Sequence, residues 1–256
     1  MAETAPASPL AALIRSDDGD EFVPSKALVI VAHPDDIDFG TAGTVATLTD
    51  HGVEVVYGLV TSGQAGEPAG LSPADLAQLR EAEQAAAANI VGVTELHWLG
   101  FPDGAVVADL ELRKAVSRLI RVVQPDLVIT QTPERNFERI YAAHPDHLAT
   151  GEAVVSAVYP DARNAKSFPE LLEEGHEPHA VPRVWLMAGS AATTNLHVNI
   201  SANLDRKIRA LMAHDSQNGP RADVLPDMIR EWATANGAAS ETGWAAVESF
   251  RRIHTE

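Results

Sequence analysis

The sequence predicts an α/β fold in which a mostly parallel central sheet lies between two layers of helices. Apolar runs of strand length alternate with segments of helical spacing over the first 160 residues. Such alternation is typical of βαβ units, whose parallel strands are covered by helices on both faces. The first apolar run, 27–33, is continuous, as expected for a central strand. We therefore predict a Rossmann-like three-layer α/β/α architecture.

Local features of the sequence predict the further strands and helices. The run 53–61 is rich in β-branched residues and predicts the second strand. Ser72 can cap a helix that has Pro73 at its first position and runs to residue 91. Residues 109–124 place their apolar side chains on one broad face, which indicates an amphipathic helix. The other predictions are strands at 94–100, 126–132, 183–189 and 196–201, helices at 40–51 and 146–158, and two short helices after 205–214.

The composition is that of a soluble globular protein, with 256 residues of which 45% are hydrophobic and 21% charged. No apolar run approaches the roughly 20 residues of a membrane helix. The N-terminus lacks the basic start and the apolar core of a signal peptide, and is rich in Ala, Pro, Ser and Asp. We therefore predict a cytoplasmic protein with a loosely ordered leader at 1–25 and a single domain at 26–256.

The charge and the absence of cysteine restrict the partners. A net charge of −17 makes nucleic acid and anionic membranes poor partners, because both are polyanions. The sequence has no cysteine, which excludes disulfides and thiolate metal sites. Any metal ion must therefore be bound by His, Asp or Glu. The number of subunits stays open, and a homo-oligomer is compatible with the sequence.

His33 ends the first predicted strand, Asp35 and Asp36 directly follow it, and Pro34 stiffens the turn between them. The glycines that come next lack the GxGxxG spacing of a dinucleotide site, and carboxylates are poor partners for phosphate. An imidazole and a carboxylate that converge from one short loop suit a divalent cation. The alternative is a solvated loop in which Asp38 caps the next helix.

A second His-Pro-Asp sequence begins at His144, follows the fourth predicted strand and continues into His147. In a parallel sheet both motifs lie at the carboxyl edge, where α/β proteins bind ligands. The two histidines are three residues apart near a helix start, so both rings can face one site. Exposed histidines and a capping Asp146 are the alternative for this segment alone, but two such motifs in equivalent places favour a metal site.

Two imidazoles and one carboxylate with an open fourth position are typical of catalytic zinc. Such a ligand set leaves the ion with positive charge, which lowers the pKa of bound water and stabilises an oxyanion. A carboxylate outside the set can take the proton of the water, and a histidine can serve the leaving group or the intermediate. The residue types therefore indicate metal-assisted hydrolysis of an acyl bond.

Several short motifs follow one another along the chain in a characteristic order. They are AHPDD after the first strand, GQAGE after the second, the pair Arg80 and Glu83, LGFPDG after the third strand, HPDH after the fourth, FPELLEEGHEPHAV and AHDSQ. Together they resemble the PIG-L/LmbE-like family of zinc-dependent N-acetylglucosaminyl deacetylases. The resemblance covers roughly residues 26 to 252, and the paired AHPDD and HPDH motifs are specific.

The resemblance implies one zinc ion per subunit, with iron as the alternative in the cell. His33, Asp36 and His147 match the metal ligands of the family. Asp35 matches its general base, and His144 matches the histidine that stabilises the oxyanion or donates a proton.

Two departures from the family concern the surroundings of the metal. Ile37 stands where relatives commonly have an acidic residue, although the ligand positions are intact. The loop 62–70 offers Gln64 and Glu67 where relatives often have an arginine, which leaves the substrate open.

Arg80 and Tyr141 are predicted substrate-binding residues. Arg80 can hold a sugar hydroxyl or an anionic group, or can form an i,i+3 pair with Glu83 on a solvent face. Tyr141 can hydrogen-bond the substrate or pack its own loop. The two histidines of HEPH are expected in a surface segment or pocket rim rather than in a second metal pair, and the histidine of AHDSQ is expected to be structural.

These observations predict a zinc-dependent hydrolase that deacetylates a small-molecule N-acetyl amino sugar or its conjugate and releases acetate. An alternative within the family is an amidase that acts on thiol S-conjugates of the mycothiol type. A non-catalytic α/β module that binds a sugar or nucleotide is an alternative of another class, although an intact set of five site residues argues against it. A metal-dependent phosphoesterase is a third alternative, but it needs more carboxylate ligands for two metal ions than the motifs place at the site.

Overall fold

The fold is that of a computed structural model, which describes residues 8–137, 140, 143–187 and 193–255. Within these ranges the strands are β1 (Ile14–Ser16), β2 (Lys26–Val31), β3 (Glu54–Leu59), β4 (Glu95–Trp98), β5 (Leu127–Gln131), β6 (Arg183–Met187), β7 (Leu196–Asn199) and β8 (Val247–His254). They form one sheet with the order β1-β7-β8-β6-β5-β2-β3-β4.

The strand order places β2 at a topological switch point. β6, β5, β2, β3 and β4 are parallel neighbours, whereas β8 is antiparallel to β6 and β7, and β1 is antiparallel to β7. After β2 the chain adds β3 and β4 on one side, and then returns to place β5 on the other side of β2. Open α/β sheets bind their ligands outside the carboxyl ends of the strands at such a point.

Helices cover both faces of the sheet. They are α1 (Asp36–Gly40), α2 (Ala42–Asp50), α3 (Pro73–Ile90), α4 (Leu110–Val123), α5 (Pro145–Ser156), α6 (Glu170–Glu173), α7 (Leu204–Met212), α8 (Asp215–Asn218) and α9 (Leu225–Ala239). Among the helices of the described ranges, none combines the length and apolarity that a bilayer span requires.

Alternate residues of β2 face opposite cores, as the period of a strand requires. Val29 and Val31 pack in the core that contains the apolar residues of α2 and the end of α3. Leu28 and Ile30 pack in the core that contains α4 and the second half of α5. The structure therefore confirms the predicted three-layer architecture with a mostly parallel sheet.

The C-terminal end differs from the sequence prediction. α9 has 15 residues and is longer than the short helices expected there, and it is followed by a strand, β8, that the sequence analysis did not predict. Val247 and Phe250 are buried in β8, but so are Glu248 and Arg252. Two buried charges in eight residues conceal the strand pattern, because in the sequence they look like solvent-facing positions.

The N-terminal end also differs from the expectation of a loosely ordered leader at 1–25. Leu10 is buried, and β1 pairs with β7 at the edge of the sheet. The carboxylates of Asp18 and Asp20 both contact the guanidinium of Arg252 in β8. A three-residue strand is too short to show a period, so only its partners reveal it. Residues 1–7 lie outside the described ranges, and the single domain at 26–256 stays a prediction.

A buried ion pair connects four elements next to the carboxyl edge of β2. Nζ of Lys207 in α7 lies 2.6 Å from Oε1 of Glu248 in β8 and donates to the carbonyl oxygen of Phe39 in α1 at 2.6 Å. The Glu248 carboxylate also accepts the amides of Gly43 (3.1 Å) and Thr44 (2.6 Å) at the start of α2. The first amides of a helix lack intrahelical partners and favour a negative charge, so Glu248 caps α2 from another element.

Candidate active site

The two His-Pro-Asp motifs meet at the carboxyl edge of the sheet. His33 follows β2, and Asp36 is the first residue of α1. His144 is the N-cap of α5, and His147 lies in the first turn of that helix. The ring centroids of the three histidines are 5.0, 5.2 and 5.3 Å apart. The topology therefore brings together side chains that are far apart in the chain.

The three predicted metal ligands form a triangle of side chains, in which Asp36 faces His33 with one carboxylate oxygen and His147 with the other. Nδ1 of His33 lies 3.2 Å from Nε2 of His147 and 3.3 Å from Oδ2 of Asp36. Nε2 of His147 lies 3.0 Å from Oδ1 of Asp36. Donors around a tetrahedral ion with bonds of about 2.0–2.1 Å are roughly 3.3 Å apart. The spacing of the three side chains therefore fits one zinc-sized ion. His144 also places a ring nitrogen within 4.8 Å of those of His33 and His147.

The charges around His33 favour a cation at this point. Burial by itself lowers the pKa of His33, but the carboxylates of Asp103 and Asp36 outweigh it and raise the pKa to about 11. Burial by itself raises the pKa of Asp36, but His147 and His33 hold that pKa well below its usual value. The ionised carboxylates thus stabilise one positive charge, and a metal ion that binds His33 displaces its proton. The donor chemistry and the charge both fit a metal ion.

Two carboxylates on the far side of His33 orient its ring. Nε2 of His33 lies 3.0 Å from Oδ1 of Asp103 and 3.2 Å from Oδ2 of Asp146. The buried Asp146 carboxylate is itself held by the amides of Gly104 (2.7 Å) and Val106 (3.3 Å). Carboxylates in this position keep the ring proton on Nε2 and leave Nδ1 for a metal.

We expect Asp103→Asn to weaken zinc binding by about 10–100-fold, because partners that orient a ligand histidine typically contribute that much to affinity. The measurement is a competition titration with a chelator of known zinc affinity. Asp223→Asn removes the same charge from an exposed position and serves as the control. Equal affinity in the two variants would show that Asp146 orients His33 without Asp103.

Asp35 precedes the predicted metal ligand Asp36 and contacts α3 through its backbone amide. It is the N-cap of α1 and has a φ of 79°, in the left-handed region. Burial, followed by the charge of Asp36, raises its pKa to about 7 against the opposing effects of Arg80 and His214. A carboxyl group with a pKa near neutrality can both accept and release a proton at neutral pH.

His144 is held in one tautomer by the start of α5. Its Nδ1 accepts the backbone amide of Asp146 at 3.2 Å, so the proton of the neutral ring is on Nε2. Desolvation, His33 and His147 all lower the pKa of His144. The exposed imidazole is therefore a neutral N–H donor at physiological pH.

Arg80 is buried, and its guanidinium contacts the backbone of two loops. Its two terminal nitrogens donate to the carbonyl oxygens of Gly63 and Pro34, each at 2.9 Å. Oδ2 of Asp35 lies 3.8 Å away, whereas the carboxylate of Glu83 is bound to the start of α8. The alternative of an exposed pair with Glu83 is therefore wrong, because both side chains have other partners. The substrate-binding role of Arg80 stays a prediction, as does that of Tyr141, which lies outside the described residues.

The histidines of the HEPH and AHDSQ motifs have partners other than the predicted metal ligands. His214 is fully buried, and its Nε2 lies 2.9 Å from Oδ2 of Asp38, which agrees with a structural role. His179 donates to the carbonyl oxygen of Pro125 at 2.7 Å, just before β5 begins and thus at the opposite edge of the sheet. His176 lies 3.7 Å from a carboxylate oxygen of Glu174.

Asp103 and Gln131 belong to the site although the sequence analysis did not single them out. Gln131, the last residue of β5, donates to Oδ2 of Asp36 at 3.0 Å and accepts the amide of Ala32 at 3.0 Å. It therefore holds a predicted metal ligand against the end of β2. Both residues are polar and lie at the end of a strand or shortly after it, and that position is the signal that identifies them.

A comparison with protein families agrees with this geometry. Residues 28–158, about half of the chain, match the PIG-L family, which is described as GlcNAc-PI de-N-acetylase. The matched range includes both His-Pro-Asp motifs. The chain belongs to the PIG-L family.

Relatives of this PIG-L protein include named deacetylases. It is 35% identical over 197 residues to diacetylchitobiose deacetylase of Thermococcus kodakarensis. The aligned region covers 75% of this chain and 70% of that protein. It is 29% identical over 231 residues to the probable N-acetyl-alpha-D-glucosaminyl L-malate deacetylase 2 of Bacillus anthracis, covering 87% and 92%. The solved structure of N,N'-diacetylchitobiose deacetylase from Pyrococcus horikoshii matches with a TM-score of 0.82 at 29% identity, covering 90% and 84%. The predicted family and fold are thereby confirmed.

Proposed function

We propose that this protein is a zinc-dependent hydrolase that removes the acetyl group from an N-acetylated amino sugar or its glycoside and releases acetate. The observation that carries the proposal is the triangle of His33, Asp36 and His147 with Asp35 and His144 beside it. Membership of the PIG-L family and the deacetylases among its relatives support the same reaction.

The proposal assigns a role to each of these residues. His33, Asp36 and His147 would hold the ion, which when bound polarises the acetyl carbonyl and makes water more acidic. Asp35, which is not needed as a ligand, takes a proton from the attacking water. His144 donates its Nε2 proton in a hydrogen bond to the oxyanion that develops on the carbonyl oxygen.

The protons balance within the same group of residues. The attack of water forms the new carbon–oxygen bond and transfers one proton to Asp35. Asp35 then gives that proton to the amide nitrogen as the carbon–nitrogen bond breaks and the carbonyl re-forms, so that acetic acid and a free amine result. The acetic acid passes its remaining proton to the amine or to solvent and leaves as acetate. The pKa of Asp35 near neutrality suits both transfers. Zinc is proposed because two imidazoles and one carboxylate are a common catalytic zinc set, and ferrous iron accepts the same ligands.

The test is acetate release by protein that has been stripped with a chelator and reloaded with one equivalent of zinc or of ferrous iron. Substrates are N-acetylglucosamine, N,N'-diacetylchitobiose, N-acetylglucosaminyl malate, inositol-linked N-acetylglucosamine and a thiol conjugate with an amide bond. We expect acetate from at least one sugar, loss of activity on stripping and recovery on reloading.

Two results would contradict the proposal. Cleavage of the thiol conjugate without acetate release from any sugar would assign the amidase reaction instead. Tight binding of a sugar without any cleavage by the metal-loaded protein would indicate a non-catalytic module. An N-acetylated amino acid is the control for acetate release that does not depend on the sugar.

A further inference from the structure

The backbone of Asp35 is strained, and something must hold it. Its φ of 79° lies in the left-handed region, which non-glycine residues seldom adopt. Such residues persist where the surrounding structure over-determines them. The nearest support comes from α3, which packs beside the turn that carries Asp35.

Gln84 of α3 holds the amide of Asp35. Its Oε1 accepts the Asp35 N–H at 3.0 Å, and its Nε2 donates to Oδ2 of Asp38 at 3.0 Å. Asp38 is an acceptor here, so it keeps the Nε2 end of the Gln84 amide on its side and the Oε1 end facing Asp35. His214, at 2.9 Å, holds Asp38 in turn, and all three side chains are fully buried.

Arg80 lies one helical turn before Gln84 on the same side of α3 and holds the residue before Asp35. Its guanidinium donates to the carbonyl oxygen of Pro34 and, from a second nitrogen, to that of Gly63. Gly63 has a φ of +68°, and a Cβ there would overlap the guanidinium. The loop after β3 therefore contacts Arg80 at Gly63, a position that only glycine fits. The Arg80 guanidinium in this way connects the loops that follow the neighbouring strands β2 and β3.

We propose that Arg80 and Gln84, the α3 clamp, are positioning residues that fix the turn at Pro34–Asp35 and so aim the Asp35 carboxyl at the attacking water. Arg80 binds the carbonyl oxygen, and Gln84 binds the N–H, of the peptide group that joins Pro34 to Asp35. The proposal rests on the proposed role of Asp35 as the base. It also gives the GQAGE loop and the AHDSQ segment a function, because Gly63 makes room for Arg80 and His214 holds Asp38, which orients Gln84.

The test compares Gln84→Met with Gln78→Met. Both changes replace glutamine by a side chain of similar length without hydrogen-bonding groups, but Gln78 lies on an exposed side of α3. We expect Gln84→Met to lower kcat by about 10–100-fold, since a misplacement of about 1 Å can cost that much. KM and zinc affinity should stay within about twofold, and Gln78→Met should behave as wild type.

Hydrogen exchange separates failure of the clamp from failure of the proposed function. The amide of Asp35 should exchange faster in Gln84→Met than in Gln78→Met, whether or not any sugar is deacetylated. Unchanged exchange would overturn the clamp while leaving the deacetylase proposal intact. No acetate release by wild type would overturn the function, and the exchange result would still decide the clamp.

Arg80→Lys is the second variant, because it keeps the charge but cannot reach both carbonyl oxygens in a fork. Positioning predicts a lower kcat with KM and zinc affinity retained. A raised KM with kcat unchanged would overturn the positioning role and assign Arg80 to the substrate. An equal loss of zinc affinity and of kcat would also overturn the proposal, since it would show that the clamp serves the metal ligands. Arg80→Lys decides the question if Gln84→Met does not fold.

Discussion

Asp35→Asn is expected to lower the rate of acetate release by about 10²–10⁴-fold, the usual contribution of general acid–base catalysis. Asparagine has nearly the shape of aspartate but cannot take a proton from water. It also tolerates the left-handed backbone about as well as aspartate, so the φ of 79° at this position adds no strain beyond that already present at Asp35. The measurement is kcat on the best substrate, with zinc content determined on the same protein.

The zinc content is what makes Asp35→Asn decisive. The triangle of side chains is formed by His33, Asp36 and His147, so the variant should bind zinc as wild type does. Retained zinc with lost activity supports Asp35 as the base. Full activity would remove it from the mechanism, and loss of zinc would make it a ligand. Asp223→Asn, on the exposed surface, is the control for loss of one negative charge.

Lys207→Met is expected to lower the free energy of unfolding by about 3–5 kcal/mol, the usual cost of removing one partner of a buried ion pair. Lys207 and Glu248 are 4% and 5% exposed, so the remaining carboxylate has little access to water. The two amides of α2 that bind Glu248 do not replace the lost cation. The measurement is urea denaturation, with the midpoint and the slope determined separately.

Arg230→Met provides the matched control for Lys207→Met. Arg230 pairs with Asp205 at 2.7 Å, but the side chains are 46% and 82% exposed. An exposed pair contributes about 0–1 kcal/mol, so this variant should unfold at nearly the wild-type urea concentration. The double variant Lys207→Met with Glu248→Gln should lose less free energy of unfolding than the two single variants together. In the double variant no unpaired charge is left buried. Similar losses from Lys207→Met and Arg230→Met would contradict the interpretation.

The group of candidate metal-site residues can be proposed from the sequence because its members are adjacent in two short motifs. His33, Asp35 and Asp36 follow one strand, and His144 and His147 follow another. Once alternation predicts a parallel sheet, both carboxyl ends must lie at the same edge. No knowledge of packing is needed to infer that the two motifs meet.

The residues that orient this group are not predictable in the same way. Asp103, Gln131 and Gln84 each come from a different element, and none lies in a motif with metal-ligand spacing. Arg80 shows the same limit, because its spacing from Glu83 suggests a surface pair while the structure buries it between two loops. Such contacts depend on which loops approach one another.

The sequence by itself determines the parallel sheet, the edge at which the chemistry lies and the residue types that are available there. These depend on local periodicity and on chain order, which a single sequence contains. Only the tertiary structure decides that β8 is a strand, that Glu248 caps α2 and that α3 holds Asp35. The physical reason is that a buried charge and a surface charge look the same in a sequence. Burial of a polar group is tolerated only where a partner offsets the loss of its contacts with water, and that partner lies elsewhere in the chain. In the contacts of Glu248 and Gln84 the partner is about 40 to 200 residues away.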